Sequence, residues 1–182
     1  MKSNKVFNLL VATLCVFFLT ACSDDDTIAQ KANEIKIGSK KFELKNMVLF
    51  NNGTHNNLTN FELYLSSPGL IIDENKDPKG NGNILVLDLY ANEDTKLTGG
   101  KYVFNDYSNT SFSIIGGFHF LNFDASLGEN QTGNAIDIVS GNISVDANNN
   151  EYTITITLVD ENGTNVIGYY KGNIPILNYD AP

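Results

Sequence analysis

The stretch from Glu151 to Asp160 reads EYTITITLVD, and its reading decides the fold class. Tyr152, Ile154, Ile156 and Leu158 recur at every second position, with Thr153, Thr155 and Thr157 between them. Side chains alternate between two faces along a strand, whereas a helix brings apolar residues together three and four apart. Threonine favours extended backbone and is content beside water. The alternation therefore predicts a strand with one face in a core and the other wet.

On either side of this strand the chain carries turn chemistry. Asp146 to Asn150 (DANNN) precedes it and Asp160-Glu161-Asn162-Gly163 follows it. Asn and Gly tolerate positive φ, so both segments predict hairpin links. The flanking runs, Ile143 with Val145 and Val166 to Ile176, complete an expected three-stranded antiparallel meander, with Pro175 marking an edge. Upstream, Phe61, Leu63 and Leu65 alternate with Glu62, Tyr64 and Ser66, and Leu85, Leu87 and Leu89 alternate with Val86, Asp88 and Tyr90. Phe42, Leu44, Val48 and Phe50 are expected on one face, opposite Glu43, Lys45 and Leu49. Tyr102 and Phe104 predict a short strand after Gly99-Gly100, and Ile136 and Ile138 begin a segment separate from the one holding Ile143. Phe112 and Ile114 lead into Gly116-Gly117 and then Phe118 and Phe120, a pattern that predicts a bulge resetting the inward face. No stretch has helical periodicity. The expectation is an all-β fold, a single antiparallel β-sandwich of about eight to ten strands, with a closed or partly open up-and-down β-barrel as the alternative.

The N-terminus has a different grammar. Lys2 and Lys5 precede an apolar run from Val6 to Leu19 of about 14 residues, the length of a signal-peptide core and short of the roughly 20 needed to span a bilayer. It ends in Leu19-Thr20-Ala21-Cys22, which resembles the lipobox of bacterial lipoproteins. The resemblance implies cleavage before Cys22, a diacylglycerol on its sulfur and an acyl chain on the new amino group. Several acyl chains suffice for stable anchoring. Ser23-Asp24-Asp25-Asp26 follows at once and resembles the export signal of Bacteroides-type surface lipoproteins, which implies display on the outer face of the outer membrane. Asp26-Thr27-Ile28 is similar to the O-glycosylation site of the same bacteria, with Thr27 as acceptor. The run from Gly141 to Gly172 also resembles small surface lipoproteins of this kind, a resemblance that implies fold class and no activity. The expected organisation is a signal peptide over 1–21, a lipidated cysteine and acidic tether over 22–33, and an all-β domain over 34–182.

Charge and cysteine count exclude whole classes of function. The chain has a net charge of -9. Loss of Lys2 and Lys5 with the signal leaves ten basic against 21 acidic residues, or -11, with no arginine anywhere. Nucleic-acid binding needs a basic stripe, so nucleic acid is not an expected partner. Membrane contact is expected through the lipid anchor alone. Cys15 leaves with the signal and Cys22 carries lipid, so the mature chain has no cysteine left for a disulfide, a thiolate nucleophile or a metal site.

The remaining candidates for chemistry are few. Asp73, Asn75 and Asp77 begin like a calcium loop, but Pro78 and Ile84 stand where an EF-hand needs glycine and a bidentate glutamate. The expectation is a polar loop, with a looser calcium site as the lesser reading and no other cofactor. His55 lies in an Asn-rich loop, and alternation places His119 on the face opposite Phe118 and Phe120. Two histidines far apart without a spaced carboxylate motif predict neither zinc binding nor a nucleophile–base pair. Tyr64, Tyr90, Tyr107 and Tyr169 fall off the expected core face or in a loop, where tyrosine suits sugar stacking or protein contact. The functional expectation is a non-enzymatic surface module binding an extracellular glycan or protein. The alternatives are a lipocalin-like barrel carrying a small apolar ligand and a glycan hydrolase with two carboxylates.

Overall fold

Glu151–Asp160 forms one strand, with Tyr152, Ile154, Ile156 and Leu158 buried and Thr155 and Thr157 exposed. It is β10 of twelve strands in the computed structural model, which describes residues 32–93, 95–105, 110–128, 135–149 and 151–179. Before it come β1 (Glu34–Ile37), β2 (Lys40–Glu43), β3 (Asn46–His55), β4 (Leu58–Ser66), β5 (Leu70–Ile72), β6 (Pro78–Ala91), β7 (Gly100–Phe104), β8 (Ser113–Asp124) and β9 (Ile136–Asn148). After it come β11 (Asn165–Asn173) and β12 (Ile176–Asn178).

The strands pair along one path, β12-β3-β4-β6-β8-β7-β9-β10-β11-β1-β2, and β5 adds a hairpin arm to β6. The all-β expectation holds. The sheet curls into a half-barrel of eleven strands, which reconciles the sandwich and partly open barrel readings because both halves face one shared core. The meander β9-β10-β11 is antiparallel throughout, with Asn149 at φ 57° and Gly163 at φ 75° in its two turns.

The core inside the curl is filled from both halves. Leu49, Phe61, Leu63 and Leu87 meet Tyr102, Ile143, Ile154 and Val166 there. A second apolar cluster lies on the outer face of β3, β4, β6 and β8. Val48, Phe50, Ile84, Val86 and Phe120 are covered there by Leu70 and Ile72 of the β5 arm and flanked by Leu177 and Tyr179. Ile84 to Leu87 are buried in succession because this part of the sheet is covered on both sides.

Three expectations about faces and lengths are revised. Phe42 and Leu44 enter the inner core, but Val48 and Phe50 belong to the outer cluster and Leu49 is the inward residue. The cause is a break between β2 and β3. There Leu44 N–H bonds Asn33 O and Lys45 N–H bonds Ser66 O, so the alternation does not carry through. Ile136 to Asn148 is one strand, not two, with Val139 as an extra residue opposite the Val159/Asp160 step. The bulge lets Ile138 and Ile143, five positions apart, share the core face. Gly141 follows at φ 112°, where an added Cβ would lie 2.3 Å from Thr157 O. The last long strand stops at Asn173. Pro175 sits beyond it, in the crossing to β12, which pairs parallel with β3. The bulge at the glycine pair is found as expected. Asp88 pairs with Gly116 and Leu89 with Ile114, leaving Ile115 extra, so Ile114 faces the inner core and Phe118 and Phe120 face the outer cluster.

Candidate functional site

Period-two alternation puts Asn60, Glu62 and Tyr64 of β4 on the outer face, directly opposite Tyr90, Asp88 and Val86 of β6. Tyr64 and Tyr90 are half-buried there, with the Glu62–Asp88 pair between them. Tyr169 is elsewhere, on β11 opposite Thr155 and Glu34, so the structure does not bring the singled-out tyrosines into one platform. Tyr107, Cys22, Ser23, Asp24, Asp25, Asp26 and Thr27 lie outside the described residues.

Tyr64 borders a cleft of about 370 Å³ together with Lys45, Asn46, Ser66, Ile71, Tyr170 and Asn173. The cleft exists because the chain leaves β11, crosses at Ile174-Pro175 and joins β3, with Leu49 N–H bonding Pro175 O at 3.0 Å. Asn46 Nδ2 and the Ser66 hydroxyl both donate to Leu70 O, at 2.9 Å each, and thereby fix one wall. A further opening of about 410 Å³ borders the same crossing at Tyr152, Asn173, Ile174, Pro175 and Ile176. A cleft of this size with aromatic and amide walls accommodates a sugar unit or a short peptide side chain.

Beside the cleft lies a polar cluster set on an apolar floor. The Tyr64 hydroxyl donates to Glu62 Oε1 at 2.9 Å, and Lys76 Nζ donates to Glu62 Oε2. Lys76 Nζ also donates to Asn52 Oδ1 at 2.8 Å and lies 4.2 Å from the ring centre of Tyr179 and 5.4 Å from that of Phe50. Asn52 Nδ2 donates in turn to Asn60 Oδ1 at 2.6 Å. Lys76 and Glu62 are each 18% exposed, which makes this pair far better shielded than an ordinary surface ion pair. Burial, followed by the negative charge of Glu62 and the hydrogen bond to it, raises the Tyr64 hydroxyl well above its usual range, so it stays a donor. Burial and then the charge of Glu62 also raise the Asp88 carboxyl.

Lys76 reaches this cluster from the loop first read for calcium. Asp73 Oδ1 accepts the N–H groups of Asn75 and Asp77, and Lys76 N–H bonds Asp73 O, so the loop is a tight turn between β5 and β6. Lys79 Nζ stands 3.5 Å from Asp73 Oδ2 and 3.8 Å from Asp77 Oδ2. These carboxylates serve the turn and its lysine. Among the described residues, no group of three or more His, Cys, Asp or Glu side chains is gathered to hold a metal ion. Lys76 itself sits at φ 65°, a conformation that costs a non-glycine residue on the order of 1–3 kcal/mol.

Sequence reasoning missed a buried pair. His119 Nε2 and Asp160 Oδ2 are 3.0 Å apart, with side chains 1% and 2% exposed. A carboxylate only accepts, so Nε2 carries the proton, and Nδ1 has no hydrogen-bond partner. Asp160 Oδ1 accepts the N–H groups of Asn162 and Thr164. Burial pushes the Asp160 carboxyl up, but His119 and these two N–H groups outweigh it and hold the carboxyl below the usual range. The pair is sealed from solvent and ties β8 to the turn between β10 and β11. The partners are 41 residues apart, so no local spacing announces them. The turn chemistry at Asp160 was the only local signal, because alternation set His119 opposite the Phe118 and Phe120 rings without marking that face as the inner one.

No protein-family model, curated protein or solved structure matches the chain. Among the described residues no helix is long and apolar enough to cross a membrane, which leaves strand-based crossing unaddressed.

Proposed function

We propose that this protein is a lipid-anchored module of the outer-membrane surface whose β domain binds an extracellular glycan or protein without catalysing a reaction on it. The address rests on Cys22 within its lipobox and on the acidic Ser23–Asp26 run. The single observation that carries the binding reading is the cleft at the β11–β12 crossing, where the half-buried Tyr64 stands beside Lys45, Asn46 and Asn173. Aromatic faces stack on the apolar side of a sugar ring, and amides and an ammonium take its hydroxyls. A ligand held inside the curl is not part of this reading, because those positions are occupied by core side chains. Hydrolysis is not part of it either. The cross-strand carboxylates Glu62 and Asp88 stand together, but both oxygens of Glu62 are engaged by Tyr64 and Lys76.

The test is a glycan array together with a pull-down from host and bacterial surface material, using the purified protein and its Tyr64→Ala variant. The reading expects a ligand whose capture falls at least tenfold in the variant while thermal unfolding shows the variant folded. Empty results in both assays, or capture that ignores Tyr64, would defeat it.

A further inference from the structure

Lys76, Asn52 and Glu62 meet in an arrangement that an ion pair alone does not require. The ammonium lies against the side-chain carbonyl of Asn52 at 2.8 Å and touches Glu62 Oε2, under the rings of Tyr179 and Phe50. The amide is held from its other end by Asn60, and Glu62 is held by Tyr64, so amine, amide and carboxylate have little freedom to drift apart. Lys76 also occupies a left-handed position, φ 65°, where asparagine or glycine is the usual choice. A bulge in β3, opposite Asn60, accommodates Asn52 and Gly53 and sets the amide toward the loop.

We propose that Lys76 and Asn52 join in an intramolecular isopeptide bond, with Glu62 as the catalytic proton carrier. The proposal goes beyond the binding function and does not depend on it. The Lys76 ammonium passes one proton to the Glu62 carboxylate, and the freed electron pair attacks Cγ of Asn52. The new N–C bond forms as the carbonyl pair moves onto Oδ1. The carbon then collapses back to an amide, and the bond from Cγ to Nδ2 breaks. Both protons lost by Nζ end on the leaving nitrogen, which departs as ammonium, and Glu62 returns to its carboxylate. No oxidant or cofactor enters. Fixed proximity supplies the acceleration. The bond clips the turn between β5 and β6 onto β3, closing a loop between residues 24 positions apart. It gives the described residues, which include no cysteine, a covalent brace of another kind.

The experiment is mass spectrometry of the full chain, folded, then denatured and cut after glutamate. Cleavage at Glu43, Glu62, Glu74 and Glu93 places Asn52 in the fragment 44–62 and Lys76 in the fragment 75–93. The expected product is one joined species, lighter than the two fragments together by one molecule of ammonia. In Glu62→Gln, which keeps the side-chain shape but removes one cut so that Asn52 falls in the fragment 44–74, the joined species should fall by about tenfold or more. In Asn52→Ala it should vanish. Recovery of the two fragments separately at full mass from the wild type would overturn the proposal and leave an ion pair only. A join at full yield in Glu62→Gln would overturn the assigned role of Glu62.

Discussion

Asp160→Ala removes one carboxylate that serves three donors, and the structure sets what each loss costs. The N–H groups of Asn162 and Thr164 lie at a turn open to water, so losing their acceptor costs about 1 kcal/mol apiece. His119 is in a different position. Its ring is 1% exposed, its Nδ1 already lacks a partner, and the substitution strands Nε2 as well. A buried donor left unpaired costs about 1–3 kcal/mol. The expected loss is therefore about 3–5 kcal/mol, in line with removing one partner of a buried carboxylate–imidazole hydrogen bond. Against a total stability of about 5–15 kcal/mol this is a large share. In urea, with a slope of roughly 2 kcal/mol per molar, the midpoint should fall by roughly 2 M. The pH dependence adds an independent arm. Asp160 is held below its usual range in the fold, so its contribution is complete above the unfolded value of about 3.9 and fades as the pH falls through the folded one. The gap between wild type and variant should be full at pH 7 and should narrow below about pH 4. A loss under about 1 kcal/mol at pH 7, or a gap that widens in acid, would refute the account of a sealed pin built on the Asp160 carboxylate.

Gly141→Ala places a Cβ against Thr157 O at a backbone angle that alanine resists. It should cost about 3 kcal/mol and lower the thermal midpoint by about 10 °C in calorimetry. Tyr102→Phe removes the buried hydroxyl that donates to Thr98 O at 2.8 Å, and should cost about 1 kcal/mol in denaturant titration with the fold unchanged. Cys22→Ala should move the protein from the membrane pellet to the soluble fraction on cell fractionation. Changing Asp24, Asp25 and Asp26 together to alanine should protect the protein from protease added to intact cells, and undiminished shaving would count against the export reading.

How far the sequence reached depended on whether the deciding contact was local. The alternation of Tyr152 to Leu158, the two turns around it and the bulge at Gly116-Gly117 were legible, because strand periodicity and turn chemistry act within a few residues. Tyr64 was placed on the outer face for the same reason. The error over Val48 and Phe50 combined the break between β2 and β3 with coverage that arrives from far along the chain. The β5 arm, Leu177 and Tyr179 bury a face that alternation alone treats as wet. Lys76 passed as one more charge in a polar loop. Its reach to Glu62 and Asn52 appears only after the hairpin folds back across the sheet. The pairing of His119 with Asp160 was likewise set by tertiary geometry.

The parallel pairing of Ile176, Leu177 and Asn178 with Leu49, Phe50 and Asn51 also bears on the order of folding events. β1 likewise waits for β11 as its inner neighbour. Strands from the first part of the domain thus find partners among its last. Contacts of such long separation slow folding, and until they form the β3 edge stands open to any extended chain nearby. A truncated product ending before Ile176 would keep that edge open permanently. Docking of β12 is therefore a late closing step that caps the β3 edge of the sheet.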